Sequence, residues 1–179
     1  MRICVEIGHG GSDSGASSEG VHEKHIVFQY GKLLKTTLEE EGHDGVVTRN
    51  GDYLASFRQR ADIANSHDSD LCISCHVNGA TPQAHGIETI YWHGSEKGKE
   101  FAKIVNNELV KSLGWADRGI KSHKELGRNL AILRMTAMPT VIIEPGFVSN
   151  PEEREYMQTC DYRADVVNAI RRAVDKWEG

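Results

Sequence analysis

Short runs of apolar and β-branched residues alternate along this chain with longer stretches in which apolar residues recur every three or four positions. The short runs cover residues 2–7, 45–49, 70–75, 86–92 and 140–143, with a further short one at 131–133. Runs of this length bounded by turn residues predict strands, most of them buried. The longer stretches predict helices. Over 20–41, Ile26, Val27, Tyr30, Leu34 and Leu38 fall on one stripe, and Gly42 ends it. A helix over 53–66 places Leu54, Phe57, Ala61 and Ala64 inward, and one over 95–113 buries Phe101, Ile104, Val105 and Leu109. Asn150-Pro151-Glu152-Glu153 has the cap, first-turn proline and acidic first turn of another helix start. The last helix, over 161–177, buries Val166, Val167, Ile170, Val174 and Trp177. The alternation predicts an α/β fold: one domain over 1–179, with a mostly parallel, mixed central sheet flanked by helices.

Three residues that could bind a metal sit where such strands end. His9 follows the first strand, His76 follows the run ending at Cys75, and Glu144 closes Thr140-Val141-Ile142-Ile143. The carboxyl ends of parallel strands share one sheet edge, and open α/β folds build their sites there. Two imidazoles and a carboxylate on that edge suggest a zinc centre. Glu23 is the fourth candidate. It lies three residues before Ile26 and four before Val27, so it heads the apolar stripe, and a buried carboxylate needs a partner. Two histidines and one carboxylate leave a coordination position open, as hydrolytic zinc sites do. Glu144, ending a very apolar strand before Pro145-Gly146, then fits the role of the carboxylate that moves the proton.

Other residues compete for these roles. His25 projects with Gln29, Lys32 and Thr36 on the polar face of the first helix, and His22 lies on the flank of the stripe. His43, His67, His85, His93 and His123 fall in loops or at element ends, where an ordinary surface histidine is expected. Cys72-Ile73-Ser74-Cys75-His76 matches a haem-attachment pattern. On a strand, however, residues 72, 74 and 76 face one way and Cys75 the other, so the thiols cannot share a cofactor. The cysteines are expected to be small buried hydrophobes.

Composition narrows the partners. Hydrophobic residues at 39% and charged residues at 26% describe a globular protein, and a net charge of −5 argues against a nucleic-acid partner. No apolar run approaches the roughly 20 residues that span a bilayer, so no membrane insertion is expected. The first apolar stretch breaks at Glu6, too short for an export signal, and four cysteines suit synthesis in a reducing cytoplasm. A monomer is expected.

At the same residues the chain resembles the zinc-dependent N-acetylmuramoyl-L-alanine amidases of the amidase-3 type, found in bacterial autolysins and phage endolysins. Gly8-His9-Gly10-Gly11 with Asp13 and Gly15 matches the turn after the family's first strand, and Glu23-Lys24 the next helix start. Thr48-Arg49, Arg60 with Ala64-Asn65, and Ser74, His76 and Asn78 follow in family order. The closing segment from Leu130 to Pro139 and then Ile143 to Asn150 completes a match along essentially the whole chain. The resemblance implies zinc on His9, Glu23 and His76, with Glu144 as catalytic acid/base. It also implies a peptidoglycan substrate, cut at the amide joining N-acetylmuramic acid to the L-alanine of the stem peptide. The family often carries an aspartate before Gly-His, where this chain has Glu6-Ile7, and Glu6 is a candidate to replace it behind the ligands. The resemblance further implies an open site, with no inhibitory helix inserted between Trp92 and Arg128. A cytoplasmic start without a leader favours a phage or prophage endolysin, released to the wall by a holin, over a secreted autolysin. Two other functions fit the residues alone: a zinc carboxypeptidase, with Arg128 or Arg134 clamping a terminal carboxylate, and a wall-binding module without catalysis.

Overall fold

The computed structural model describes residues 1–177. Its central sheet has six strands: β1 (Arg2–Ile7), β4 (Asp44–Val47), β5 (Leu71–Cys75), β6 (Ile87–Tyr91), β7 (Asp117–Ser122) and β8 (Thr140–Pro145). Their order is β4-β1-β5-β8-β6-β7. The first four are mutually parallel, β6 is antiparallel to β8, and β7 is parallel to β6. A second, two-stranded ribbon pairs β2 (Ser17–Ser18) with β3 (Val21–His22). The helices are α1 (Glu23–Glu40), α2 (Phe57–Ser66), α3 (Glu96–Leu113), α4 (Ala131–Met135), α5 (Pro151–Met157) and α6 (Cys160–Lys176). No described helix is long and apolar enough to cross a membrane.

Strand parity divides the core into two layers. Ile3, Val5 and Ile7 of β1, Leu71, Ile73 and Cys75 of β5, and Val141 and Ile143 of β8 face α1, α3 and α6. The alternate residues face α2 and α4, where Ile90 and Ile142 meet Ala61, Ile132 and Leu133, and Cys4 and Cys72 meet Ala64. Cys72 and Cys75 therefore lie on opposite sides of the sheet, as the period of two requires. All four cysteines are free, and the three on strands are buried. Both faces of the central parallel strands β1, β5 and β8 are covered, which is why those strands are apolar almost throughout.

Several elements differ from the sequence reading. The first helix begins at Glu23, not Gly20, because residues 17–22 form the β2–β3 ribbon. Its turn holds Glu19 at φ 49° and Gly20 at φ 77°, which no right-handed helix accommodates. The second helix starts at Phe57 because Ser56 and Gln59 form a capping box. Tyr53 and Leu54 thus precede it, and Leu54 and Phe57, expected inward, are 55% and 58% exposed. Residues 131–133 were expected as a strand and form α4. A three-residue window does not separate the two periods, but the burial of the consecutive Ile132 and Leu133 suits a helix. Strand β7 escaped the apolar pattern because it is a polar edge strand, Asp-Arg-Gly-Ile-Lys-Ser, beside a register shift in β6. The Asn150 cap is as expected, its side chain accepting from the Glu152 and Glu153 amides.

Leu33 and Leu34 test the helix-face assignment. Leu34 is fully buried and Leu33 is 41% exposed. Leu34→Ala is expected to destabilise the protein by about 2–5 kcal/mol. Leu33→Ala should stay within about 0.5 kcal/mol of the wild type. Equilibrium urea unfolding of the two variants measures both values.

Candidate functional site

The strand ends bring the predicted residues together. His9 follows β1, His76 follows the adjacent β5, and Glu23 is the first residue of α1. Potential ligand atoms of the three lie within 4.8 Å of one another. The Glu23 carboxylate is 97% buried and bridges both imidazoles: Oε2 is 3.1 Å from His9 Nε2, and Oε1 is 2.8 Å from His76 Nδ1. Oε2 also accepts from the Ala16 amide and Oε1 from the Val77 amide. Burial acts to raise the Glu23 pKa, but hydrogen bonds from His76 and His9 outweigh it and hold the carboxyl well below the usual range. At His76, burial acts to lower the pKa, yet the bond to Glu23 and the charges of Glu23 and Glu6 raise it to about 9. Two imidazole nitrogens and one anionic carboxylate are a donor set suited to a divalent metal.

The residues around this set fix its orientation. Asp13 Oδ2 lies 2.9 Å from His9 Nδ1, which leaves Nε2 directed at Glu23. Glu6 Oε2 is 3.7 Å from His76 Nε2, on the side of that ring away from Glu23. Glu6 is itself tied to Arg60 at 2.9 Å and to the Ser74 hydroxyl. The residue that departs from the family's aspartate thus stands directly behind His76. His9 has a positive φ of 57°, an uncommon conformation held by its surroundings. Arg49, fully buried, donates to the carbonyls of Ile7, Gly8, Lys24 and Gly51 and so ties the His9 turn to α1. Two glycines permit the approach. A Cβ on Gly15, at φ +66°, would lie 2.5 Å from Glu23 Oε2, and one on Gly8 would lie 2.5 Å from His76 Cε1. Sequence reading gave Arg49 and Arg60 no task, because their partners Ile7 and Glu6 lie far along the chain.

Glu144 lies near the end of β8 and lines the same groove, of about 370 Å³, as His9, Glu23 and His76. Its Oε2 is buried and has no hydrogen-bond partner. Burial pushes the carboxyl from 4.5 up to about 8; Glu23 and Glu88 push the same way, and His76 and Arg128 oppose them. Glu88, its cross-strand neighbour in β6, differs sharply. Arg118, Lys121 and Asn78 all bind it, and its pKa falls although burial alone would raise it. His25 is exposed, as expected, and His22 binds the Ser17 hydroxyl outside the groove. No helix covers the groove from the span 92–128, because α3 packs against α6 on the other face of the sheet.

Comparison with known proteins matches residues 3–176 to the profile of the amidase-3 family, described as N-acetylmuramoyl-L-alanine amidase. The chain belongs to this family. The amidase CwlM of Bacillus licheniformis is similar, 33% identical over 97% of this chain and 68% of its own length. The endolysin of Bacillus phage SPP1 is 33% identical over 92% of the chain, which spans only 61% of that protein. Among solved structures, an N-acetylmuramoyl-L-alanine amidase from Clostridium difficile 630 superposes with a TM-score of 0.93 at 30% identity, covering 99% of this chain and 98% of that one. The amidase fold is the sheet just described, with its helices on both faces.

The pair behind His76 carries a stability test. Arg60 and Glu6 are both buried and form an ion pair. Arg60→Ala strands a buried carboxylate and is expected to cost about 3–5 kcal/mol. Arg58→Ala, which removes an exposed pair with Asp62 at 3.9 Å, should cost under about 1 kcal/mol. Chemical denaturation of both proteins decides whether the ranking holds.

Proposed function

We propose that this amidase-family protein is a zinc-dependent peptidoglycan hydrolase, in which His9, Glu23 and His76 hold the ion and Glu144 is the catalytic acid/base. The observation that carries the reading is the pairing of two unlike carboxylates in one groove. Glu23 is bound by both imidazoles and is kept anionic, whereas half-buried Glu144, its buried Oε2 without a partner, is kept basic. The reaction adds water across the amide between the lactyl carbonyl of N-acetylmuramic acid and the α-amine of L-alanine. The C–N bond breaks, leaving a lactyl carboxylate and a free amine. When bound, zinc supplies Lewis acidity, making water a stronger acid and drawing electron density from the scissile carbonyl.

The protein's own groups do the rest. Asp13 sets the His9 tautomer, so that Nε2 presents a lone pair into the site. Glu6, neutralised by Arg60, backs His76 without entering the groove. Glu144 takes the proton that water loses and returns it to the departing nitrogen, a cycle that needs one carboxyl to be both base and acid near neutral pH. Its raised pKa, about 8, suits that cycle. The apolar floor of the groove, with Ile90, Ile132 and Ile142, lowers the local dielectric and strengthens these charge effects. The family match favours the amidase over the carboxypeptidase and wall-binding alternatives.

Metal content and turnover measured on the same samples test the assignment. The protein is expected to hold about one zinc per chain, to lose peptide release from cell wall on chelation and to regain it with added zinc. His76→Ala and Glu23→Ala should lose the metal, while His25→Ala keeps it. Full activity in metal-free protein, or metal loss in His25→Ala with retention in Glu23→Ala, refutes the ligand set. Glu144→Ala should keep its zinc while peptide release falls by at least about 10²–10⁴-fold. Loss of zinc in that variant would make Glu144 a ligand, and retained turnover would remove it from the mechanism.

A further inference from the structure

The groove holds one charge that its own surroundings leave unmatched. Arg128, in the segment between β7 and α4, is exposed and lines the groove with Glu144. Its side chain has no hydrogen-bond or ion-pair partner among the described residues. Four other cations near the site are committed. Lys24 binds Asp52 and the Gly11 carbonyl, Arg60 binds Glu6, and Arg118 and Lys121 both bind Glu88. Arg128 is the one arginine or lysine among the residues lining the groove, which it shares with Glu144. A guanidinium presents several donors in a planar fork and is built to take a carboxylate through two parallel bonds. Glu144 itself is not that partner, since its buried oxygen remains without a bond.

We propose that Arg128 is a specificity residue that receives a carboxylate of the stem peptide beyond the L-alanine. This rests on the amidase reading above and adds the substrate class. The residue after L-alanine in a stem peptide is a D-glutamyl unit, whose α-carboxyl is either free and anionic or, in amidated walls, a neutral amide. A carboxylate gains charge-assisted bonds from Arg128 that the amide does not. The anionic peptide is held in the groove, its cleaved amide lies beside Glu144, and selection acts on binding and not on the proton transfer. Arg134, the other arginine weighed for a carboxylate, lies in the last turn of α4 and is not among the groove-lining residues, so it takes no part.

The test compares N-acetylmuramoyl-L-alanyl-D-glutamate with its D-isoglutamine counterpart as substrates for the zinc-loaded protein. The wild type is expected to favour the acidic substrate in kcat/KM by about tenfold or more, the range of a hydrogen bond to a charged group. Arg128→Gln should collapse that ratio to about one, chiefly through a higher KM for the acidic substrate, while Arg134→Gln preserves it. Equal losses on both substrates, falling on kcat, would make Arg128 a modulator of Glu144 and overturn the proposal. A wild-type ratio near one, or a ratio that survives Arg128→Gln, would overturn it as well. Cleavage of neither substrate by the wild type would sink the amidase reading and this proposal with it, an outcome distinct from the other three.

Discussion

The organisation of the site depends on one buried anion. The Glu23 carboxylate is almost wholly removed from water, and an ionised group in that position is tolerated only if its oxygens are fully engaged. Two imidazoles and two backbone amides engage them. Each of those partners imposes a demand on the chain around it. The Ala16 amide reaches Oε2 because the chain turns at Gly15, where no side chain fits. The β2–β3 ribbon folds residues 17–22 back so that α1 can begin with Glu23 itself. His9 accepts an unfavourable φ to aim Nε2 inward, and Arg49 secures that turn with four carbonyl contacts. Local strain here is supported by a large hydrogen-bonded frame, the expected arrangement for a site that must be ready before its ligand arrives.

The sheet determines which residues can enter that frame. Because β1, β5 and β8 are parallel neighbours, their carboxyl ends deliver His9, His76 and Glu144 to one edge, and parity sends Glu6, Ser74, Glu88 and Glu144 to the α2–α4 face. The opposite face is closed by α1, α3 and α6 around a continuous apolar cluster. That heavily packed face anchors the strands. The lighter face, with short α4 and the small Ala61 and Ala64, leaves room for the groove. The asymmetry of the two layers is what opens a site beside an otherwise covered sheet.

Much of this was legible in the order of residues, and each omission has a physical cause. Strands buried on both faces announce themselves as apolar runs, so β1, β5, β6 and β8 were readable, as were α1, α3 and α6 from their stripes. Glu23 was legible because it interrupts nothing in the apolar stripe of α1 yet carries a charge. Some of what was missed gains its shape from contacts far along the chain. β7 is a polar edge whose strand character comes from pairing with β6, and α4 is too short for either period to declare itself. The early boundary placed on α2 overlooked the Ser56–Gln59 box, a local signal that was present, and so turned Leu54 and Phe57 the wrong way. The tasks of Arg49 and Arg60 depend on partners 42 and 54 residues away, which no local pattern reveals.

The carboxylates on the α2–α4 face show how one environment yields different chemistries. Glu6, Glu88 and Glu144 share that face, and Glu6 and Glu88 are almost fully buried. Glu6 is bound by Arg60 and Ser74, and Glu88 by Arg118, Lys121 and Asn78; each has its charge matched within the fold. Glu144 is denied every such partner on its buried oxygen, so the same desolvation that the others offset appears there as basicity. Moving a cation from Glu88 to Glu144 would make Glu144 a structural anion and remove the proton acceptor proposed for the reaction. The paired carboxylates hold Arg60, Arg118 and Lys121, so none of those three cations is left to pair with Glu144. In this reading the structural ion pairs of the sheet face protect the reactive carboxyl as much as they hold the fold.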